Sequence, residues 1–152
     1  MEIFPAKVDL WFLGLFYGFG VLMIGIVPFI WRQPRGRVAG SLLVFFGILF
    51  VGIAWRVSEV NYVITEDGYL DATGWPLDGR ITSLSAITRI EPSNDARASH
   101  AASLDRLRID HGRGGLIFIA VHDKADFLDT LAAKEPGLVR TETGLRRAER
   151  TP

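Results

Sequence analysis

The sequence predicts an α+β fold in which a two-helix transmembrane hairpin is followed by a small, sheet-rich domain with a C-terminal capping helix. Three observations predict this fold. Two long uncharged runs lie within the first 55 residues, and short stretches of alternating apolar and polar residues follow them. Nearer the C-terminus, apolar residues recur at helical spacing. Uncharged apolar runs of about 18 residues or more indicate membrane helices, whereas a period of two indicates strands.

The two uncharged runs are long enough to cross a bilayer. Leu10 to Trp31 holds 22 residues without Asp, Glu, Lys, Arg or His, and a helix rising ~1.5 Å per residue would span the ~30 Å hydrocarbon layer with them. Val38 to Trp55 holds 18 such residues. Neither run has the polar stripe of a helix buried in a soluble protein, and the first is too long for a secretory signal. Two spans are therefore predicted.

Three tryptophans mark the ends of these runs. Trp11 and Trp55 would lie at one face of the bilayer and Trp31 at the other. An indole at this level keeps its ring in the boundary and its N–H in water. We predict that the three residues are membrane-interface anchors.

The short connection between the runs is basic. It carries Arg32, Arg35 and Arg37, whereas Lys7 and Arg56 flank the other ends of the runs. Because positive charge is enriched in cytoplasmic loops, this connection is predicted to be cytoplasmic and the following domain extracytoplasmic.

The composition limits what the rest of the chain can do. Residues from Arg56 onward carry 13 Lys and Arg against 15 Asp and Glu, so no basic patch indicates nucleic-acid binding. The chain has no cysteine, which excludes disulfides, thiol catalysis and thiolate metal sites. After the hairpin there is room for one domain.

Alternating apolar residues, separated by turn residues, predict six short strands in this domain. Glu66-Asp67-Gly68 is typical of a tight turn, and the glycine-rich segment from His111 to Gly115 is typical of a hairpin connection. The predicted strands are Glu59 to Thr65, Tyr69 to Thr73, a broken strand from Trp75 to Leu84, Ala86 to Glu91, Ala102 to Asp110, and Leu116 to Val121.

One helix is predicted after the strands. Asp123 can cap it, and Pro136 and Gly137 end it. Its apolar stripe, which would close the sheet, consists of Phe127, Leu128, Leu131 and Ala132. The resulting divisions are an N-terminal segment at 1–9, the hairpin at 10–55 (helices 10–31 and 38–55), the domain at 56–138 and a flexible polar tail at 139–152.

Several motifs resemble the YyaB-like bacterial PH-domain family, in which a two-helix membrane segment precedes a PH-like domain. They are Ile90-Glu91-Pro92-Ser93, Ser99, the segment Ser103 to Ile109, the helix around Phe127 and Leu131, and Lys7-Val8-Asp9 before the first helix. The resemblance covers nearly the whole chain. It implies a β-sandwich or barrel of about six or seven strands with a capping helix, in the cytoplasmic membrane of a bacterium.

The chain departs from the family at two places. Ser99-His100 stands where the family usually has Ser-Pro, and Ile119-Ala120-Val121 stands where it has an Ile-Ser-Pro-like step. The family has no established catalytic activity, and some members resemble bacteriocin-immunity proteins.

One polar cluster is a candidate site. Strand alternation would place Asp105 on the core side with Leu107, and Arg106 on a solvated face with Arg108. A carboxylate facing the core needs donors, for which the loop serines or Arg89 are candidates. The predicted role is a structural clasp that holds loop 93–101 on the sheet, with partner binding as the alternative. Its members are Ser93, Ser99, Ser103, Asp105 and Arg106.

Catalytic and metal sites are not predicted. His100, His111 and His122 with Asp123 do not have a known ligand spacing. Ser99, Ser103, His100 and Asp105 are residue types of a catalytic triad without its geometry. Phosphoinositide binding is not expected either, because the acidic turn Glu66-Asp67-Gly68 would repel a phosphate.

The leading hypothesis is a non-enzymatic, membrane-anchored PH-like interaction module without a cofactor, which contacts a membrane or envelope protein. The alternative is an immunity or envelope-defence protein that intercepts a toxic peptide. An enzyme is the third hypothesis.

Overall fold

The computed structural model describes residues 1–74, 78–95, 102–112 and 114–148. Two long helices, α1 (Leu10–Trp31) and α2 (Gly36–Ser58), pack side by side. Both are long and apolar enough to cross a membrane, and most of their side chains face away from the rest of the protein. The predicted bounds of the first helix are confirmed, whereas the second helix extends beyond Val38 and Trp55 at its two ends.

Glycines allow the two helices to approach closely. A Cβ atom on Gly20 would lie 2.9 Å from the carbonyl oxygen of Gly47 and 2.8 Å from a methyl group of Val51. Gly14 and Gly18, in contrast, have no atom within 4 Å of such a Cβ position. The helix pair therefore uses the Gly20 face of α1 and leaves the Gly14 face open.

The first sheet contains four antiparallel strands in the order β1-β2-β3-β4. They are β1 (Glu2–Pro5), β2 (Asn61–Ile64), β3 (Tyr69–Thr73) and β4 (Gly79–Ser83). Strand β1 precedes the helices and pairs with β2, which follows them, so that Phe4 lies opposite Tyr62. Strand β1 was not predicted from the sequence, because four residues are too few for an alternating pattern and the partner strand is far away in the chain.

The second sheet contains five antiparallel strands in the order β7-β6-β5-β9-β8. They are β5 (Ile87–Ser93), β6 (Arg106–His111), β7 (Gly115–Ile119), β8 (Leu138–Arg140) and β9 (Leu145–Arg147). The prediction of a flexible tail from residue 139 is wrong for the residues up to Arg147. Ile90 pairs with Leu145, and the Arg147 guanidinium donates hydrogen bonds to the carbonyl oxygens of Ile87 and Leu84 at 2.8 and 3.0 Å.

Helix α3 (Lys124–Lys134) closes the space between the sheets. The Asp123 side chain accepts a hydrogen bond from the Asp126 N–H at 3.0 Å, and this confirms the predicted cap. Phe127 is fully buried and meets the Phe4 ring edge-on at 5.1 Å between centroids. The core includes residues of both sheets and α3, among them Tyr62, Ile64, Leu70, Ile90, Leu107, Ile109, Ile119 and Leu131.

The predicted α+β fold class, with two long apolar helices followed by antiparallel sheets and a C-terminal helix, is confirmed. The N-terminal strand also links the two sheets. Ala6 bridges to Val121, the Lys7 N–H donates to the Ala120 carbonyl oxygen at 2.9 Å, and the His122 N–H donates to the Pro5 carbonyl oxygen at 3.1 Å. The chain enters α1 directly after these contacts.

Candidate functional site where the helices join the domain

Asp9, the residue before α1, lies at the centre of the contacts between the helices and the domain. Its carboxylate accepts hydrogen bonds from the Ser103 hydroxyl at 2.8 Å, the Leu104 N–H at 2.9 Å and the Trp11 indole N–H at 3.2 Å. The Asp9 N–H donates to the Ala102 carbonyl oxygen at 3.0 Å. We call Asp9, Ser103 and Leu104 the junction.

The environment of Asp9 favours its charged form. Burial alone would raise the pKa of this carboxyl group, but the hydrogen bonds from Leu104, Ser103 and Trp11, together with the nearby Lys7 ammonium, outweigh burial and hold the pKa below 3.8. The junction is therefore ionised at neutral pH.

Ser103 explains why β6 begins later than predicted. Its buried hydroxyl donates to Asp9 and accepts from the Asp105 N–H at 3.1 Å, which turns the chain before the strand starts at Arg106. The alternation on which the sequence prediction depended does not apply before Arg106. Asp105 consequently does not face the core, and its side chain is 51% exposed.

Asp105 forms an ion cluster with Lys7 and Lys124. One carboxylate oxygen accepts from the Lys7 ammonium at 2.7 Å, and the other accepts from the Lys124 ammonium. Hydrogen bonds from Lys124 and Lys7 lower the pKa of Asp105, and the hydrogen bond to Asp105 raises the pKa of Lys7. The predicted donor Arg89 pairs instead with Glu91 on its own strand.

Arg106 is buried, which corrects the prediction that it lies on a solvated face with Arg108. Its guanidinium donates to the carbonyl oxygen of Ser103, and to that of Asp95 at 2.8 Å. A buried cation needs such acceptors, and the polar segment after β5 supplies one of them. Arg108, by contrast, is exposed and pairs with Asp110 at 2.9 Å.

The buried phenol of Tyr62 lies at the same end of the domain. Burial raises the pKa of Tyr62 to about 12, against the opposing effects of the Ala120 peptide group and the Arg106 guanidinium. This tyrosine is neutral at physiological pH, and its side chain packs in the core.

The remaining predicted site residues lie at different places: Ser93 is opposite Arg106 in the pairing of β5 with β6, and the three tryptophans lie at the ends of the helix pair. The Ser93 hydroxyl accepts from the Asp95 N–H at 3.2 Å, whereas Ser99 and His100 lie outside the described residues. Trp11 and Trp55 lie at one end of the helix pair, and Trp31 lies at the other, where its indole packs against Gly40. The described residues contain no group of three or more His, Asp or Glu side chains arranged to hold a metal ion.

Two packed antiparallel sheets with a capping helix define the PH-like class of domain. A family model for the bacterial PH domain matches residues 60–135, which is half of the chain. The chain belongs to this family. No curated protein and no solved structure gives a significant match to the chain. PH domains are generally non-catalytic interaction modules.

The partners that form the junction and the ion cluster were not predicted from the sequence. Asp9 and Lys7 are far from residues 103–105 in the chain, Lys124 lies beyond the next strand, and no periodic pattern links them. One signal was present, because Lys7 and Asp9 place charges immediately before a membrane-length run. Charged residues at that position are common for solubility alone, so only the pairing of β1 shows what they contact.

Proposed function

We propose that this protein is a non-enzymatic, membrane-anchored interaction module whose PH-like domain is held in a fixed position on a two-span hairpin. The proposal is based on one observation: both connections between the hairpin and the domain are held by hydrogen bonds or by close packing. On the α1 side, the chain from Pro5 to Asp9 is bonded to both sheets and to the junction.

The connection on the α2 side is also short. Only Glu59 and Val60 separate the end of α2 from β2. Gly74, with a φ of +106°, packs against them, and a Cβ atom there would lie 2.9 Å from the Glu59 carbonyl oxygen. Neither connection has the length of a flexible linker.

A fixed position in the plane of the membrane has a functional consequence. Confinement raises the effective concentration of the domain for partners in the same membrane, so that modest contacts are sufficient for association. The three tryptophans support the membrane position, because they lie at the two ends of the helix pair where indoles favour the interface.

Strand β4 provides the contact surface that we propose for a protein partner. It is the terminal strand of its sheet among the described residues, so its outer edge is available for an added strand. Arg80 on this strand stacks over the Tyr69 ring at 3.6 Å and pairs with Asp71 at 3.7 Å. This ordered edge combines backbone hydrogen-bonding groups with an aromatic and cationic face.

A crosslinking experiment tests this function. A photoreactive residue replaces Arg80 in one variant and Arg108 in the other, both exposed on strands, and the full chain is expressed at its native level. We expect one defined protein crosslinked from position 80 and none from position 108. Equal crosslinking from both positions, or none from either, would contradict a partner at β4.

The orientation is tested with two further variants. Because the chain has no cysteine, Gln33→Cys in the helix connection and Leu116→Cys on β7 each report one side of the membrane. With a maleimide that cannot enter intact cells, we expect labelling at position 116 alone, as the basic connection favours. Labelling at position 33 alone would mean that the helix connection, and not the domain, lies outside the cell. Labelling at both positions in cells with an intact membrane would exclude a two-span hairpin. Immunity to a toxic peptide has support only from the sequence resemblance, and no described contact favours it.

A further inference from the structure

An exposed apolar side chain lies beside the start of α1. Leu104 is 44% exposed although its N–H is bonded to the Asp9 carboxylate at 2.9 Å. The same carboxylate oxygen accepts from the Trp11 indole, whose residue is 56% exposed. The Leu104 N–H and the Trp11 indole N–H therefore share one acceptor, an oxygen of the Asp9 carboxylate, which keeps the two residues side by side.

Two ammonium groups flank this pair. Lys7 and Lys124 share the single carboxylate of Asp105, and Lys7 also lies near the Asp9 carboxylate. Each ammonium has three donors, and each donates one hydrogen bond to Asp105. The neighbouring Asp9 carboxylate accepts from three donors of its own.

Apolar side chains next to ammonium groups match the layering of a bilayer surface. Leu and Trp side chains favour the boundary of the hydrocarbon layer, while ammonium groups favour the phosphates above it. The order along the chain is the same, because Trp11 belongs to α1 and Lys7 precedes it. The surface is also continuous with the proposed membrane span.

We propose that Leu104, Trp11, Lys7 and Lys124 form a lipid-docking patch that seats the domain on the bilayer and binds the phosphate of an anionic phospholipid. This inference rests on the proposed two-span hairpin. Headgroup recognition at the turn between the first strands of the domain would use a different site. The patch lies next to the helices, at the start of β6. The partner is a lipid of the leaflet into which α1 enters at Trp11.

Depth measurements test the apolar half of the patch. Single cysteines at Leu104, Leu116 and Ile48 carry a nitroxide in full-length protein in nanodiscs of phosphatidylcholine and phosphatidylglycerol in equal parts. Leu116 is the matched control, because it is 41% exposed and lies at the far end of the β6–β7 hairpin. We expect position 104 to be accessible to oxygen and protected from a water-soluble nickel complex, and position 116 to show the reverse.

Ile48, on the exposed surface of α2, separates two failures. If position 48, like position 116, is accessible to the water-soluble nickel complex, the hairpin does not span the membrane and the proposed function fails. If position 48 is lipid-embedded while position 104 matches position 116, the proposed function stands and the lipid-docking patch is refuted.

Charge variants test the phosphate contact. We measure the midpoint of thermal unfolding in phosphatidylcholine nanodiscs with and without phosphatidylglycerol, since a bound lipid stabilises the folded state. The upward shift with phosphatidylglycerol should be lost in Lys124→Gln, enlarged in Asp105→Asn and unchanged in the control Arg108→Gln. A purely structural ion cluster would lower the midpoint in both cluster variants and leave the lipid-dependent shift unchanged, which would overturn the proposal. Equal stabilisation by inorganic phosphate in phosphatidylcholine nanodiscs would also overturn it.

Discussion

Strand β6 ends in two different environments. At its start, hydrogen bonds and ion pairs join residues that are 94 to 98 positions apart, with Asp9 bonded to Ser103 and Lys7 bonded to Asp105. At its far end the ion pair is local, because Arg108 pairs with Asp110 two residues later. There His111 packs over Gly115 at the β6–β7 turn.

This difference shows how one strand can anchor the helices to the domain at one end and expose side chains to solvent at the other. The helix-proximal end contains buried polar groups, namely Ser103 and Arg106, whose partners come from other parts of the chain. Losing a partner there leaves a buried group unsatisfied, whereas Arg108 at the far end is exposed and can exchange its partner for water. We therefore expect unequal effects for chemically matched changes at the two ends.

The largest expected effect comes from the two arginines. Arg106→Met removes the donor for two carbonyl oxygens and should lower the free energy of unfolding by about 3 kcal/mol, whereas Arg108→Met at the exposed face should change it by less than about 0.5 kcal/mol. Urea unfolding of the full chain in micelles measures both. Similar losses for the two variants would remove the distinction between the ends.

The next effect concerns two aspartates. Asp9→Ala leaves the buried Ser103 hydroxyl without its acceptor and should cost about 2 kcal/mol, while Asp110→Ala should cost less than about 1 kcal/mol because its partner Arg108 is exposed and can bond to water instead. Hydrogen exchange provides a local readout. We expect faster exchange of the Leu104 amide in the Asp9 variant alone, and unchanged exchange would contradict the role of the junction.

Acid should weaken the helix-proximal end of β6. The pKa values of Asp9 and Asp105 are held below 3.8, so the unfolded state binds protons more readily than the folded state as pH falls. Their stabilisation is complete above the unfolded pKa and is lost as pH falls through the folded values. The free energy of unfolding should therefore decrease below about pH 4, and less so in Asp9→Asn than in the parent. If the free energy of unfolding decreases equally in the parent and in Asp9→Asn, Asp9 does not contribute to the pH dependence of stability.

The smallest effect is expected in the ion cluster. Lys7→Gln removes one of two cations from a half-exposed carboxylate and should cost about 0.5 kcal/mol at low salt, with little cost at high salt. The control is Arg56→Gln, whose partner Glu59 is also exposed. Urea titrations at two salt concentrations measure the cost, and a loss that is independent of salt would indicate packing rather than charge.

Sequence reasoning predicted the elements with a strong period. The bounds of α1, the strand Tyr69–Thr73 and the Asp123 cap follow from local patterns, and the structure has each of them. Strand β1 and the strand pair β8 and β9 were missed because strands of three or four residues have almost no period of their own. Their identity depends on pairing with β2 and β5, which only the folded chain shows.

The candidate site was only partly predictable for the same reason. Residues 103–106 were singled out, but a turn stabilised by Asp9 changes which side of the strand each side chain faces. Asp105 and Arg106 thereby exchanged their predicted environments. One distant carboxylate was sufficient to reverse an inference drawn from alternation.

The junction holds the hairpin and the domain as one unit, and a distance measurement tests this directly. Spin labels at Ile48→Cys on α2 and Leu116→Cys on β7, in full-length protein in nanodiscs, give the distribution of distances between them. We expect a single narrow distribution that broadens when Asp9→Ala is added and stays narrow with Asp110→Ala. A broad distribution in the parent, or no broadening in the Asp9 variant, would contradict it.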